Sequence, residues 1–316
     1  VSGAEPTAEP PYPRDDWRRR LMDEPADRDA LRAIVGEQYA RRRSGEIAPW
    51  LTRALVAGTR TMDPLWIETV ACERPFSRGM NPKAAATLGY APEPPADLIF
   101  VNTFPRVPTV AMEVALIRLL RLQRGSMHVH GELRTAAFDP VQARRELQKG
   151  RLVRAHVPAS QRMRAAINLL RIRPILIVRD IFDTLASYVG DNYFIALGHR
   201  FDRLSRTQQR RTLLLRNAAD LVDIYATWSV LARLNPRMLR VDVYEEISRD
   251  WVGYTQRILA ERGAEVSREL IQTAMTGVPT DPAAPPHEFT AEEQAMVREL
   301  YAQYPTVDFS PIDRGW

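Results

Sequence analysis

Three short segments of this chain combine residue types that can bind an anion and move a proton. The first is Thr103-Phe104-Pro105-Arg106-Val107-Pro108-Thr109, lying between an apolar run and a helical pattern. Amides at a helix N-terminus, the helix dipole, a guanidinium and a hydroxyl together make an anion site. The GxxxxGK[ST] spacing is absent, so this is not a Walker loop. The second segment is Arg154-Ala155-His156-Val157-Pro158. Its histidine can act as a general base near neutral pH, or can simply be hydrogen-bonded within a loop. The third runs from Val178 to Tyr188 and carries Arg179, Asp180, Asp183 and Ser187. Asp183 or Thr184 is expected to start a helix, with Ser187 one turn past Asp183 on the same face. Arg179 and Ser187 can then converge on one phosphate, the first by a charged fork and the second by its hydroxyl. The alternative is an N-capped helix with Arg179 paired to Asp180 or Asp183.

Each segment follows an expected strand. Leu98-Ile99-Phe100-Val101 and Ile175-Leu176-Ile177-Val178 are short apolar runs suited to buried parallel strands. Further strands are expected at Leu152-Val153 and from Met238 to Val243. After the first strand a proline-rich turn, Asn102 to Pro108, leads to Thr109, which can cap a helix whose apolar positions are Val110, Val114, Ile117 and Leu120. Other helices are expected at 27–43, 184–197, 208–234, 246–262 and 291–303, with an irregular proline-bounded stretch at 75–95. This alternation predicts an α/β fold, a three-layer doubly wound sheet that is mainly parallel. In such sheets ligands sit beyond the carboxyl ends of the strands, where the three segments fall. Residues 1–95 read as an N-terminal tail and a helical or irregular extension packed on a main domain of 96–316.

The composition narrows the classes. The chain has 316 residues, ample for a sizeable core, with 45% hydrophobic and 26% charged residues. No run approaches the length of a membrane span, and the Pro- and acid-rich first residues lack the apolar stretch of a signal peptide. The single cysteine, Cys72, permits no intrachain disulfide and reads as a small buried hydrophobe, so a cytoplasmic location is expected. The formal net charge is +5, almost all of it arginine, since lysine occurs only at Lys83 and Lys149. That bias is most simply one of genome composition. Arg18-Arg19-Arg20 and Arg41-Arg42-Arg43 read as solvated helix faces, and the interleaving of aromatic and basic residues that binds single strands is absent, so nucleic acid is not an expected partner.

Taken together and in order, the segments resemble the PAPS-dependent sulfotransferase family, PAPS being 3′-phosphoadenosine 5′-phosphosulfate. The family's phosphosulfate loop, PKSGTTW, is similar to Pro105-Arg106-Val107-Pro108-Thr109-Val110-Ala111. Its KTHLP stretch is similar to Arg154 to Pro158, and its 3′-phosphate motif RxxxDxxxS to Arg179, Asp183 and Ser187. Its YEDL-like strand end resembles Tyr244-Glu245-Glu246-Ile247, spanning with the rest about residues 97 to 305. The resemblance implies a P-loop NTPase-like fold of sulfotransferase type. It implies transfer of a sulfuryl group from PAPS to a hydroxyl acceptor, leaving PAP, with no metal. His156 would be the general base, with Arg106 and Arg154 as catalytic cations. Arg106, Val107, Pro108, Thr109, Val110, Arg179, Ser187 and Tyr244 would bind the nucleotide. The chain departs from the family where Pro108 replaces glycine, where Val107 and Val110 replace hydroxyl residues, and where Ala111 lacks an aromatic ring. The late RKGxxGxWK segment is not recognisable: 276–288 contains no arginine or lysine.

A protein of the same fold that has lost donor binding, serving recognition or scaffolding, is the alternative that these departures favour. A nucleotide-triphosphate phosphotransferase would need a Walker lysine and a Mg²⁺ carboxylate, neither of which is visible. The His128-Val129-His130 pair would put both rings on one side of a strand but lacks a third metal ligand. His199 and His287 read as surface or capping residues, and Trp228 as core. The acceptor, whether a small alcohol, phenol, sugar or lipid-linked glycan, would be set by loops at 60–95, 126–150 and 190–210.

Overall fold

The structure is a computed structural model and describes residues 16–24, 27, 29–31, 44–61, 63–74, 78–90, 98–125, 150–189, 201–278 and 289–314. The chain divides into two compact units, one of residues 1–94 with 164–171 and one of 95–163 with 172–316.

The first unit is helical: α1 (Asp16–Asp23), α2 (Ser44–Val56), α3 (Pro64–Ala71) and α4 (Pro82–Thr87). Helix α2 packs on both α3 and α4. Leu51, Leu55, Ile67 and Val70 are buried there. The stretch expected to be irregular contains α4, because Asn81 accepts from the Lys83 and Ala84 amides and Pro82 occupies the first helical position. Most of α6 (Gln161–Leu170) belongs to this unit, and its Asn168 donates to the Ala71 carbonyl at 2.8 Å. Of the helix expected at 27–43, residues 29–31 are helical and 32–43 lie outside the described residues.

The second unit is built on a five-stranded sheet of β1 (Leu98–Thr103), β2 (Gln123–Gly125), β3 (Arg151–Ala155), β4 (Ile175–Val178) and β5 (Arg240–Val243). The spatial order is β2-β3-β1-β4-β5 and every pairing is parallel. The expected α/β class is therefore found, and among the described residues every strand pairing is parallel. β1 and β4 are buried at every residue, which is why Leu98–Val101 and Ile175–Val178 read as unbroken apolar runs. The edges β2 and β5 are more exposed.

Helix α5 (Val110–Leu120) follows β1 and packs against α11 (Trp251–Ala260) and α12 (Arg268–Met275), with Arg118 donating to the Ala274 carbonyl at 2.6 Å. After β4 come α7 (Ile181–Ala186), α8 (Arg206–Leu213), a π-helical turn at Leu214–Ala218 and α9 (Ala219–Leu234). The helix expected at 208–234 is thus continuous but carries a π turn. Four-residue α10 (Tyr244–Ile247) follows β5 directly, and α13 (Ala291–Tyr301) packs on α9. Two expected boundaries are corrected. Helix α7 starts at Ile181, because Asp180 accepts from the Phe182 and Asp183 amides and so caps it three residues earlier than expected. The last strand starts at Arg240, since Asn235 to Leu239 are held in turns by backbone bonds to the Asn235 carbonyl.

Candidate functional site

Because the strands are parallel and adjacent, their carboxyl ends form one row. His156 follows β3, the 104–109 loop follows β1, Arg179 follows β4 and Tyr244 follows β5. The four segments picked out in the sequence therefore share one edge of the sheet.

The loop that carries His156 is pinned by two buried side chains. Asn102, fully buried on β1, donates to the Val157 carbonyl at 3.1 Å and accepts from the Val157 amide at 3.0 Å. The indole of Trp228 donates to the same carbonyl at 2.8 Å. The imidazole Nδ1 lies 2.8 Å from the Thr103 carbonyl oxygen and 3.1 Å from the Thr103 hydroxyl. A carbonyl oxygen can only accept, so Nδ1 carries the proton and the neutral ring keeps its basic lone pair on Nε2. His156 lines a cavity of about 340 Å³ together with Pro105, Tyr188, Asn217, Asp220 and Asp223. A ring with a fixed tautomer on the wall of a ligand-sized cavity is suited to proton transfer.

The 104–109 loop is tight. Arg106 adopts φ 66°, a left-handed conformation in which a side chain is strained. The Phe104, Val107 and Thr109 amides donate to the carbonyls of Ile177, Phe104 and Val107, and Pro105 and Pro108 have no N–H. With three of the loop's four amides bonded to carbonyls, an anion here would meet chiefly the Arg106 side chain and the first-turn amides of α5. Thr109 sits at the N-cap position of α5, but its side chain does not cap the helix. Its hydroxyl donates at 2.5 Å to Glu113, a carboxylate only 1% exposed. Glu113 also faces Arg154 Nε at 3.6 Å and Arg124 at 3.8 Å. One buried acid thus ties together the loop threonine and the arginine at the end of β3. Val107 is buried, while Pro108 and Val110 are half-buried.

At the other end of the row, Arg179 is 8% exposed and its Nε is buried without a hydrogen-bond partner. Its guanidinium carbon lies 5.2 Å from the centre of the Tyr244 ring, and that ring is 6.1 Å from Trp251. Asp180 does not pair with Arg179, because its two oxygens serve the α7 cap and the Arg314 amide. Among the described residues Arg179 has no ion pair. Such a charge is costly to bury alone, and an anion from outside the protein could complete it. The Glu245 carboxylate accepts from the Asp180 amide at 3.0 Å, joining the ends of β4 and β5 and fixing Arg179 beside Tyr244. Ser187 stands at the end of α7 and its hydroxyl donates to the Thr184 carbonyl at 2.6 Å, turned onto its own helix.

No family model and no curated protein matches the chain. Solved structures do. Three of them contain PAP. The chain is similar to mouse sulfotransferase SULT7A1 complexed with PAP, at 15% identity and a TM-score of 0.47, over 68% of this chain and 86% of that one. It is similar to retinol dehydratase in complex with retinol and PAP, at 14% identity and a TM-score of 0.40, over 68% and 82% of the two chains. A further retinol dehydratase complex, with androsterone and inactive cofactor PAP, matches with the same figures. At such identities, and with TM-scores under one half, function has to be argued from this chain's own side chains.

Asn102, Trp228 and Glu113 act at this edge without having been singled out for it. Asn102 and Glu113 had a readable signal, a polar residue inside an otherwise apolar strand or helix face. The Trp228 position read as core is fully buried, and its indole N–H has a further role. No group of three or more potential metal ligands occurs among the described residues, and His128, His130, His199 and His287 lie outside them. No described helix is long and apolar enough to cross a membrane.

Proposed function

We propose that this chain is a sulfotransferase that moves a sulfuryl group from PAPS to a hydroxyl acceptor, with His156 as general base. The observation that carries this reading is Arg179, a buried guanidinium with no protein anion among the described residues, set against an aromatic ring at the carboxyl edge of a parallel sheet. A 3′-phosphate supplies the missing charge, and Tyr244 with Trp251 offers aromatic surface for the base. When bound, PAPS provides a sulfuryl group already activated by its phosphate leaving group.

The chain's own residues then divide the work. His156 Nε2 takes the proton of the acceptor hydroxyl, and the Thr103 carbonyl supports the imidazolium through Nδ1–H. The acceptor oxygen bonds to sulfur as the old sulfur–oxygen bond breaks, its electron pair leaving with PAP. Arg106 and the α5 N-terminus meet the charge that grows on the leaving oxygen, and Arg154, held by Glu113, adds a second cation nearby. Fixed charges of this kind do most of the catalysis in such transfers.

A specific observation favours the alternative of a donor-free binding protein: three of the four amides of the 104–109 loop, and its threonine hydroxyl, bond within the protein. One experiment separates the two. Calorimetry with PAP is combined with transfer of radiolabelled sulfate from PAPS to a panel of alcohols and phenols. Binding with transfer is expected; no binding of PAP supports the alternative, and binding without transfer removes the transferase reading while keeping the nucleotide site.

A further inference from the structure

Arg179 and Tyr244 meet from the ends of two different strands, and a third stretch of chain, 306–314, bonds to both ends. Its course is fixed before it gets there. The Arg233 guanidinium and the Tyr225 hydroxyl, both on α9, donate to the Thr306 and Asp308 carbonyls, each at 2.7 Å. Phe309 and Ile312 are buried, and the Ile312 carbonyl accepts from the Ile181 amide at 2.8 Å. Asp313 accepts from Arg298 at 2.7 and 3.0 Å. The Arg314 amide then donates at 3.2 Å to Asp180, the neighbour of Arg179. The Arg314 guanidinium donates to Glu246 at 3.0 Å and stands 3.9 Å from Glu245 Oε2, a buried oxygen without a hydrogen-bond partner.

These contacts lie on a local excess of negative charge. Asp180, Glu245 and Glu246 are within two residues of Arg179 or Tyr244 in the chain. Carboxylates left uncompensated there would oppose any anion that came to complete Arg179. Arg298, a further cation whose charge acts on Asp180, is already engaged by Asp313. The charge that answers Glu245 and Glu246 is that of Arg314. The Glu246 side chain is 64% exposed, and an ion pair in such a place adds little to folding stability. Arg314 therefore matters more to a bound anion than to the fold.

We propose that Arg314 is a positioning residue for a phosphate at Arg179, acting through Glu245 and Glu246, whose charge it offsets while tying the ends of β4 and β5 together. The proposal rests on the nucleotide reading of the same edge. Calorimetry with PAP and with adenosine 5′-monophosphate, which lacks the 3′-phosphate, tests it, because the ratio of the two affinities isolates that phosphate. Arg314→Gln keeps the amide bond to Asp180 and removes only the charge. It is expected to lower the preference for PAP by about tenfold while the affinity for the monophosphate changes by less than about threefold. Arg314→Lys, which keeps the charge, should stay within about threefold of wild type. Adding Glu246→Gln to Arg314→Gln should regain at least about threefold of the preference, a recovery that a purely structural role does not give. If wild type prefers PAP and Arg314→Gln keeps that preference, the proposal is overturned and the nucleotide reading stands. If wild type binds PAP no better than the monophosphate, both fall. Should Arg314→Gln not fold, Glu246→Gln alone decides. An increase in the preference for PAP of about two- to threefold at unchanged Tm supports the proposal, and no change or a decrease overturns it.

Discussion

His156 Nδ1 lies 2.8 Å from the carbonyl oxygen of Thr103, so the end of β1 fixes the proton on a ring that leaves β3. Backbone supplies the contact, and no side-chain change at Thr103 removes it. The basic nitrogen is thereby Nε2 before any acceptor arrives. Loss of a positioned general base costs about 10²–10⁴-fold in rate. His156→Gln is expected to lower kcat for sulfuryl transfer by that range while PAP affinity changes by less than about threefold. Turnover close to wild type would remove the ring from the reaction.

Arg179 should report on the nucleotide alone. A charge-assisted hydrogen bond to a ligand is worth about 1.5–3 kcal/mol, so Arg179→Ala is expected to weaken PAP binding by roughly 10–150-fold in calorimetry. The same change removes a buried cation that has no protein anion among the described residues, so the ligand-free protein should not lose stability. A melting temperature that falls while PAP affinity holds would mean that Arg179 serves the fold and not a ligand.

How much could be read in advance follows from where each element's information resides. β1 and β4 announce themselves because they are buried on both faces and their apolar runs are unbroken. β2 carries no such mark: Gln123–Gly125 is a short exposed edge strand that exists only through its pairing with β3. Helix α6 had a local signal in Ser160, whose hydroxyl accepts from the Met163 amide at 3.3 Å. The π turn had none, since the register of a helix bond leaves no composition to read. At the site, residue types and order were enough to place His156, Arg179 and Tyr244 at one edge of the sheet. The inward turn of Thr109 was not readable, because it depends on Glu113 meeting Arg154 from a different strand.

Asn102 links stability to the base. Both ends of its amide bond to the Val157 backbone, so Asn102→Leu leaves a buried N–H without its partner. The expected loss is about 1–3 kcal/mol of unfolding free energy in urea titration. The histidine loop should also loosen, so kcat falls while KM for PAPS stays near wild type. Equal losses in stability and PAPS affinity, with kcat unchanged, would show that Asn102 supports the sheet and not His156.

Thr109 and Glu113 should behave as a unit. Thr109→Val takes a donor from a carboxylate that is 1% exposed, an arrangement that costs about 1–3 kcal/mol. Adding Glu113→Gln removes the buried charge, so the double variant is expected to recover at least half of that loss in the same denaturation assay. Additive losses would mean that the hydroxyl and the carboxylate stabilise the protein independently.

Arg106 offers the sharpest separation of fold from function. Its φ of 66° places a residue with a Cβ in the left-handed region, a strain of about 1–2 kcal/mol that glycine does not have. Glycine in turn loses more entropy on folding, by roughly 0.5–1 kcal/mol. The balance favours Arg106→Gly by about 0.5–1 kcal/mol, or roughly 2 °C in Tm for a chain of this size. The guanidinium disappears with the strain, so transfer from PAPS should fall by about 10²-fold or more. Stability rising as activity falls is the outcome expected where strain places a cation against a leaving group. If Tm falls as well, the Arg106 side chain holds the loop, and its backbone conformation is not a strain maintained for catalysis.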